Sequence, residues 1–521
     1  MGTAATARAS TLGSIDDFRD AARAKIAQEE ATFSKPAFSF SELLNFAKSG
    51  EAGDAKLFAL LFAGKLLKDH SSDKWYRFTG HHWEEDLLNE ALARVEDLIP
   101  HYVTAARECF EQELKAAQAG NKNAVAQAQA AREIFLKKID HLQRRRYREN
   151  ILVLAAAGEG SLGITGSEWD LDPYLLPFKN GVLNLKDRSF RPGRPEDFIK
   201  TVCPTEWRGF DVPAPRWEKF LLEIMDGGRD RVAYIKRLLG YGISGLTVEH
   251  SLPILWGPEG RNGKGTLLET LGHVLGPLAG PVQGELLLQE WRPRSSAAPS
   301  PDIMALRGKR LVWASETDQG RKLNAGRVKL LTGGDTLPGR NPYDKHEVTF
   351  QPTHTLLLLT NFRPRVDPMD TALWERLHLI EFKISFVDKP IHSTQRLRDK
   401  NLITALKKEA SAIASWLVSG FFEWQDKGLM PPPQVMNATW EYRKNENFIE
   451  QFLDECCVIN EGAHCRAGEI LEAYQGWCNE RGVKTDRKNF HETLSSRLHS
   501  KSTNKGKIYY GIGLLARQDE E

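Results

Sequence analysis

Cysteine and methionine are scarce in this 521-residue chain, with six of each. The cysteines (Cys109, Cys203, Cys456, Cys457, Cys465 and Cys478) are scattered without the regular spacing of a disulfide framework, which fits a reducing cytosol. No C-x-x-C pair occurs, so the four later cysteines and His464 lack the spacing of a zinc site and read as buried thiols. No apolar run approaches the roughly 18 residues of a membrane span, and the start shows no basic-then-apolar signal pattern. The expectation is a soluble, cytoplasmic protein without a membrane partner. Charge of one sign is also missing: 71 Lys and Arg against 69 Asp and Glu leave a net charge of +2. A chain-wide polyanion-binding surface is excluded, and any nucleic-acid contact must use local basic patches.

What is present is an ordinary globular composition, 41% apolar and 27% charged, long enough for about three or four domains. Residues to about Ser34 read as a tail with a loose helix. From Phe38 to Asn150 the pattern is mainly helical, interrupted by an aromatic hairpin candidate at Trp75, Tyr76, Phe78 and Trp83. The run Arg144-Arg145-Arg146-Tyr147-Arg148 reads either as the solvated end of a helix or as a DNA-facing or subunit-facing patch. Between Ile151 and Thr201 short strands and turns follow, with Asn180-Gly181 as a turn signal. Asp170 and Asp172 could hold metals in a primase or polymerase, but they precede Pro173 without a third carboxylate and read as turn residues. An amphipathic helical stretch runs from Trp217 to about Leu246. After Pro431-Pro432-Pro433, read as a stiff linker, come helices near Asn445–Cys457, Gly468–Arg481 and Asn489–His499, then a hairpin turning at Asn504–Lys507. That order suggests a winged helix. Its Arg481–Tyr510 part holds eight Lys and Arg against two acids.

The chemistry is concentrated in the middle of the chain. The apolar run Ser251–Trp256 leads into Gly257-Pro258-Glu259-Gly260-Arg261-Asn262-Gly263-Lys264-Gly265-Thr266, and a helical pattern follows. Strand, glycine-rich loop and helix make the setting for a phosphate cradle: backbone N–H groups converge, and the helix adds its positive end. Gly257, Gly260, Asn262, Gly263, Lys264, Gly265 and Thr266 are the expected ATP-binding residues, with Lys264 reaching the β- and γ-phosphates. Two departures from the strict G-x-x-x-x-G-K-[ST] pattern stand out. The first glycine falls one position early, at Gly257 instead of residue 258. Gly265 occupies the usual hydroxyl position, leaving Thr266 to meet Mg²⁺.

A second apolar strand ends at Glu316, an acid placed to hold Mg²⁺ and polarise water. A third, Thr355–Thr360, ends at Asn361, whose amide could bond the γ-phosphate or the attacking water. Arg376 follows in Trp374-Glu375-Arg376-Leu377. A guanidinium offered to a neighbour's γ-phosphate contributes about 10³–10⁵ in rate. Between Glu316 and Asn361, the segment from Thr332-Gly333-Gly334-Asp335 through Arg340 to Tyr343-Asp344-Lys345-His346-Glu347 reads as a hairpin with a basic tip.

Taken together, Asn262-Gly263-Lys264, Ser315-Glu316, Thr332–Asp335 with Arg340, Leu359-Thr360-Asn361 and Trp374–Leu377 resemble the superfamily 3 helicases. The set is most similar to their phage/plasmid primase-helicase branch, which also includes the poxvirus primase-helicase. Leu176–Leu185, Trp440–Arg443 and Tyr474–Cys478 extend the resemblance from about Asp170 to the C-terminus. It implies a multidomain α/β protein with an AAA+-like P-loop ATPase core, a helical N-terminal region and a winged-helix-like C-terminal domain. The expected divisions are 1–150, 151–235, 236–400, 401–435 and 436–521. It further implies a homo-hexameric ring using ATP and Mg²⁺ at subunit interfaces, with catalytic Lys264, Glu316, Asn361 and Arg376, the last supplied by the adjacent subunit. Lys345, His346 and Arg340 would contact single-stranded or forked DNA. No primase carboxylate constellation is evident, so a separate primase or polymerase is the expected partner, in a bacterial cytoplasm near the nucleoid. An origin-binding initiator and a P-loop nucleotide kinase are the competing readings.

Overall fold

A computed structural model of the chain describes residues 38–289, 299–316, 320–342, 347–481, 485, 487–503 and 506–515. The expected N-terminal tail lies outside them. Two compact units divide the chain: Met1–Trp169 with Arg194–Lys200, and Asp170–Gly193 with Thr201–Glu521.

The first unit is mainly helical. Helix α1 (Phe40–Lys48) begins at a capping box: Ser39 Oγ accepts from Glu42 N at 3.3 Å, and the Glu42 carboxylate accepts from Ser39 N at 2.8 Å. With α2 (Gly50–Phe62), the helical hairpin α3 (Ile99–Gln118) and α4 (Lys122–Leu142), and α5 (Arg145–Ala155), it encloses Leu57, Phe58, Tyr102, Phe135, Leu142 and Ile151. The aromatic hairpin is present as β2 (Lys74–Phe78) and β3 (Trp83–Glu85), inside a sheet completed by β1 (Leu66–Asp69) and β4 (Gly163–Ile164). The basic run at 144–148 is largely neutralised: Arg144 pairs with Asp140, Arg145 with Glu149 and Arg148 with Glu96. That favours the solvated-helix reading over a DNA-facing patch.

Inside this unit Asp54 is wholly buried and accepts from Lys138 Nζ at 2.7 Å, Tyr102 Oη at 2.5 Å and Tyr147 Oη at 2.6 Å. Burial, reinforced by the Asp54 carboxylate, pushes both phenols far above their usual range. Asp54→Ala leaves Lys138 buried without its counter-ion and is expected to lower stability by about 3–5 kcal/mol. Urea unfolding of the full chain reads this loss. Asp54→Ala with Lys138→Met should recover much of it, whereas an equal loss in the double variant would contradict the pairing argument.

The second unit opens with an antiparallel sheet, β5 (Leu175–Phe178), β6 (Gly181–Asn184) and β7 (Ser189–Arg191), whose first turn is Lys179-Asn180, so the Asn180-Gly181 signal marks the turn with Gly181 already opening β6. Asp170 and Asp172 stand just ahead as turn residues: Asp172 accepts from Tyr174 N at 2.9 Å and Asp170 from Thr201 Oγ1 at 2.9 Å. The stretch expected as one helix is two, α6 (Pro215–Ile224) and α7 (Arg229–Ile243), because Asp226 and Gly227 both take left-handed backbone at φ 47° and 73°.

Five parallel strands then form the main sheet: β8 (Leu252–Trp256), β9 (Ala279–Val282), β10 (Leu311–Glu316), β13 (Thr355–Thr360) and β14 (Leu377–Glu381). Their spatial order is β14-β8-β13-β10-β9. Strands covered on both faces read as continuous apolar runs, which is why β8 and β13 were legible. Leu255 and Leu357 face a layer containing Leu238, Leu271 and Leu417; Ile254, Leu356 and Leu358 face one containing Val328, Leu331 and Tyr442. Helix α8 (Lys264–Leu275) follows β8, and α9 (Ala325–Thr332) precedes the antiparallel pair β11 (Leu337–Gly339) and β12 (Val348–Phe350). The tip of that pair, with Lys345 and His346, lies outside the described residues.

After β14 come a short parallel pair, β15 (Ser385–Val387) and β16 (Gln395–Leu397), then α10 (Leu402–Lys408), α11 (Ala410–Lys427) and α12 (Pro433–Glu446). Helices α7 and α11 cross where a Cβ on Gly240 would lie 2.2 Å from the Gly420 carbonyl carbon, so the contact requires glycine. The Pro431–Pro433 segment, read as a linker, instead leads directly into α12. This helix packs on the main sheet: Leu379 N donates to Thr439 Oγ1 at 2.9 Å, and the Tyr442 ring lies 5.0 Å from Trp374. Packing therefore joins 433–446 to the core, and the first boundary falls near Asp170 instead of residue 150.

The chain closes with α13 (Phe448–Cys456), β17 (Cys457–Arg466), α14 (Ala467–Glu480), α15 (Arg487–Arg497), β18 (Ser500–Thr503) and β19 (Gly506–Leu514), the sheet running β17-β19-β18. Phe452, Tyr474, Trp477, Phe490 and Tyr509 fill its core, together with Cys457, Cys465 and Cys478. Among the described residues no His/Cys/Asp/Glu group is arranged to hold a metal ion.

Candidate functional site

In a parallel sheet all carboxyl ends lie along one edge, and three of the expected site segments meet there. The glycine-rich loop leaves β8, Asn361 follows β13 and Glu316 ends β10. β13 sits between the other two, with Thr360 level with both Trp256 and Glu316.

The loop is shaped by specific contacts. Asn262 is buried, and its Nδ2 donates to the Glu259 carbonyl at 2.7 Å. A Cβ on Gly257 would come within 2.1 Å of that nitrogen, so glycine at 257 is required by the Asn262 amide. Ser385 Oγ donates to the Gly260 carbonyl at 2.9 Å and Phe386 N to the Arg261 carbonyl at 2.8 Å, tying the loop to β15. Gly263 takes φ 85° at the start of α8, with Ile224 filling the place of a side chain.

Lys264 is buried at 7% exposure; its Nζ donates to the Gly257 carbonyl at 3.2 Å and to Asn361 Oδ1 at 3.0 Å. Loss of solvent pushes its ammonium down to about 8. Gly265 would carry a Cβ into open space, while Thr266 lines a cleft of about 850 Å³ with Phe220, Arg261, Glu269, Phe386 and Arg396. These features suit a polyphosphate: amides at a helix start, a lysine and an adjoining cleft.

Arg376 is not part of this group. It stands just before β14, where its carbonyl accepts from Leu252 N at 2.6 Å, at the amino edge of the sheet. The length of β8, about 16 Å at 3.3 Å per residue, separates it from the loop. Its Nη1 donates to the Ala372 carbonyl at 3.3 Å, and its Nε has no partner among the described residues. Arg340, on the segment leaving β11, has its N–H bonded to Ser300 Oγ at 3.2 Å.

Sequence reading missed three residues at the loop edge. Trp256 Nε1 donates to the Asn361 carbonyl at 3.2 Å. The Arg363 guanidinium lies 4.2 Å above the Trp256 ring, and its Nη2 stands 3.5 Å from Glu381. Nothing in local spacing links residues so far apart in the chain.

Residues 55–226 match the family described as D5 N terminal like. The chain is 27% identical over 416 residues to L207/L206 of Acanthamoeba polyphaga mimivirus, covering 77% of this chain and 42% of that protein. It is 23% identical over 385 residues to 022R of Frog virus 3, with 60% and 39% covered. Both relatives carry provisional helicase names. It is 24% identical over 331 residues to C962R of African swine fever virus, provisionally named a primase, with 60% and 34% covered. The chain thus spans about two fifths or less of these relatives' lengths. The apo C-terminal region of NrS-1 aligns over 88% of this chain and 99% of its own, at 11% identity and a TM-score of 0.46. By its family match and viral relatives the chain is similar to proteins of a superfamily 3-like primase-helicase branch. No helix among the described residues is long and apolar enough to cross a membrane.

Phosphate binding at this loop would need a charged Lys264. Above a pH of about 8 the free ammonium loses its proton, so binding must take one up. Affinity for a fluorescent nucleoside triphosphate is expected to weaken from pH 7.5 to 9, approaching about tenfold per unit at the upper end. An affinity that stays constant across this range would contradict that requirement.

Proposed function

We propose that this chain is an ATP-dependent DNA helicase acting in DNA replication, a superfamily 3 motor with an AAA+-like core. The observation that carries the reading is the Lys264–Asn361 contact, which joins the glycine-rich loop to the end of the neighbouring strand. The strand order, with Arg376 at the opposite edge, supports it further.

In this reading the amides of Gly260 to Gly265 and the start of α8 receive the phosphates, and Lys264 moves from Gly257 and Asn361 toward them. Asn361 orients the γ-phosphate or the attacking water. Oxygen donors suit Mg²⁺, and Thr266 with Glu316 would hold it; bound there, Mg²⁺ neutralises phosphate charge. Arg376 cannot reach its own loop, so it serves an adjacent copy, and the assembly is a ring, with six subunits expected. The β11–β12 hairpin with Lys345 and His346, and Arg340 beside it, tracks single-stranded DNA at a fork, with phosphate contacts giving affinity without sequence preference. The closing module reads as a winged helix, and a separate primase or polymerase supplies priming. The relatives above come from viruses of eukaryotes, so the bacterial setting expected from the phage/plasmid resemblance has no support from them.

Lys264→Ala should reduce ATP turnover at least about 100-fold, a loss typical of removing one transition-state contact. Near-normal turnover would remove the site assignment. Mixing Arg376→Ala with Lys264→Ala subunits should restore part of the activity, since some interfaces then pair an intact loop with an intact arginine; no recovery at any ratio argues against interfacial sites. With ATP and Mg²⁺ the protein should separate a forked duplex. Hydrolysis with origin binding and no strand separation would favour the initiator reading instead.

A further inference from the structure

The Asn361 amide can act on a nucleotide only if the backbone beneath it is fixed, and the segment that leaves β13 is anchored along its length. Thr360 Oγ1, itself buried, accepts from Phe362 N at 3.0 Å and closes a tight turn around Asn361. At the centre of that turn the Asn361 carbonyl accepts from Trp256 Nε1 at 3.2 Å. Further on, Tyr442 Oη donates to the Pro364 carbonyl, and Val366 N donates to Glu446 Oε2 at 3.2 Å. Helix α12 thus holds the far end of the segment, and the Trp256 indole holds the near end.

The indole is held in turn. Trp256 ends β8, level with Thr360 on one side and Glu381 on the other. The Arg363 guanidinium lies 4.2 Å from the centre of its ring and 5.8 Å from that of Tyr442. Its Nη2 stands 3.5 Å from Glu381, which has a closer partner in Lys383 at 2.6 Å. Arg363 Nε is buried without a partner among the described residues. An arginine paired this loosely is not placed by its ion pair; what its position secures is the face of the indole.

We propose that Trp256 and Arg363 are positioning residues for ATP hydrolysis: the indole N–H fixes the Asn361 peptide, and the guanidinium fixes the indole. This rests on the motor reading above, in which Asn361 orients the γ-phosphate or the attacking water. In the free protein Asn361 Oδ1 accepts from Lys264 Nζ. When Lys264 turns to the phosphates the side chain loses that partner, and the backbone contacts alone keep the amide aimed. A misplacement of about 1 Å at a reacting centre can cost about 100-fold in rate. Trp256 and Arg363 act through Asn361 and need no contact with the nucleotide, so their loss falls on turnover and leaves affinity intact.

The test uses the full-length protein with ATP and Mg²⁺, reading kcat and KM, and a fluorescent non-hydrolysable nucleoside triphosphate, reading affinity and binding stoichiometry. Trp256→Phe keeps an aromatic ring and removes its N–H; kcat should fall about tenfold, part of the roughly 100-fold expected for Asn361→Ala. KM, affinity and stoichiometry should stay within about twofold of wild type. Arg363→Ala should give a loss of the same kind, and Arg363→Lys, which keeps a cation over the indole, should recover part of it. In an Asn361→Ala background, Trp256→Phe should add less than about a twofold loss, because its route to the reaction is already gone. A further loss of about tenfold in that background overturns the proposal. So does a wild-type kcat in Trp256→Phe, or a stoichiometry that falls in step with kcat, the mark of an unfolded fraction. Failure of the motor reading would appear separately, as ATP turnover indifferent to Lys264→Ala.

Discussion

The Lys264 ammonium is buried, and a buried ammonium is tolerated only where oxygens replace the water it has lost. Here two strands provide them, the Gly257 carbonyl after β8 and the Asn361 amide after β13. That pairing works because Thr360 lies level with Trp256, so the residues that follow each strand meet. The Trp256 indole then holds the Asn361 carbonyl, and the Arg363 guanidinium covers the indole. A slip of one register position would separate Lys264 from Asn361 and leave a buried charge without its partner.

The same parallel geometry explains why Arg376 stands apart. A residue just before a strand and one just after its neighbour are a full strand length away from each other, whatever their side chains. Arg376 is anchored by its backbone to the start of β8, while its guanidinium makes one long bond to the Ala372 carbonyl and leaves Nε without a partner among the described residues. A purely structural arginine normally satisfies more of its five donors. On the proposed reading the chain carries the two halves of an ATP site at opposite edges of one sheet, and assembly completes them.

How much of this was legible in the sequence followed from where each signal originates. β8, β10 and β13 could be read because strands covered on both faces are apolar runs, and the loop because glycine concentrates where backbone must turn sharply. β17 could not be read: its middle residues are mostly exposed and its register shifts between Ile459 and His464, so no alternation survives. The three prolines before α12 resemble a linker, yet proline also opens helices, and only the packing of Thr439 and Tyr442 against the sheet decides between the two. The basic run at 144–148 left a solvated helix end and a DNA-facing or subunit-facing patch open until its acids were placed: Asp140 and Glu149 are four residues away, but Glu96 comes from another element. Trp256, Arg363 and Glu381 carry no local signal, since their relation exists only in the sheet.

The loop's departure from the strict glycine spacing has a physical origin of the same kind. The glycine at 257 makes room for the Asn262 side chain, which turns inward and closes the loop on the Glu259 carbonyl. Pro258 has no N–H, so the amides free to meet an anion begin with Glu259. Asn262 therefore does with a side chain what the usual first glycine does with backbone freedom, fixing the start of the turn. The glycine moved one place because the amide it accommodates sits five residues further on, which a pattern counted from Lys264 cannot register.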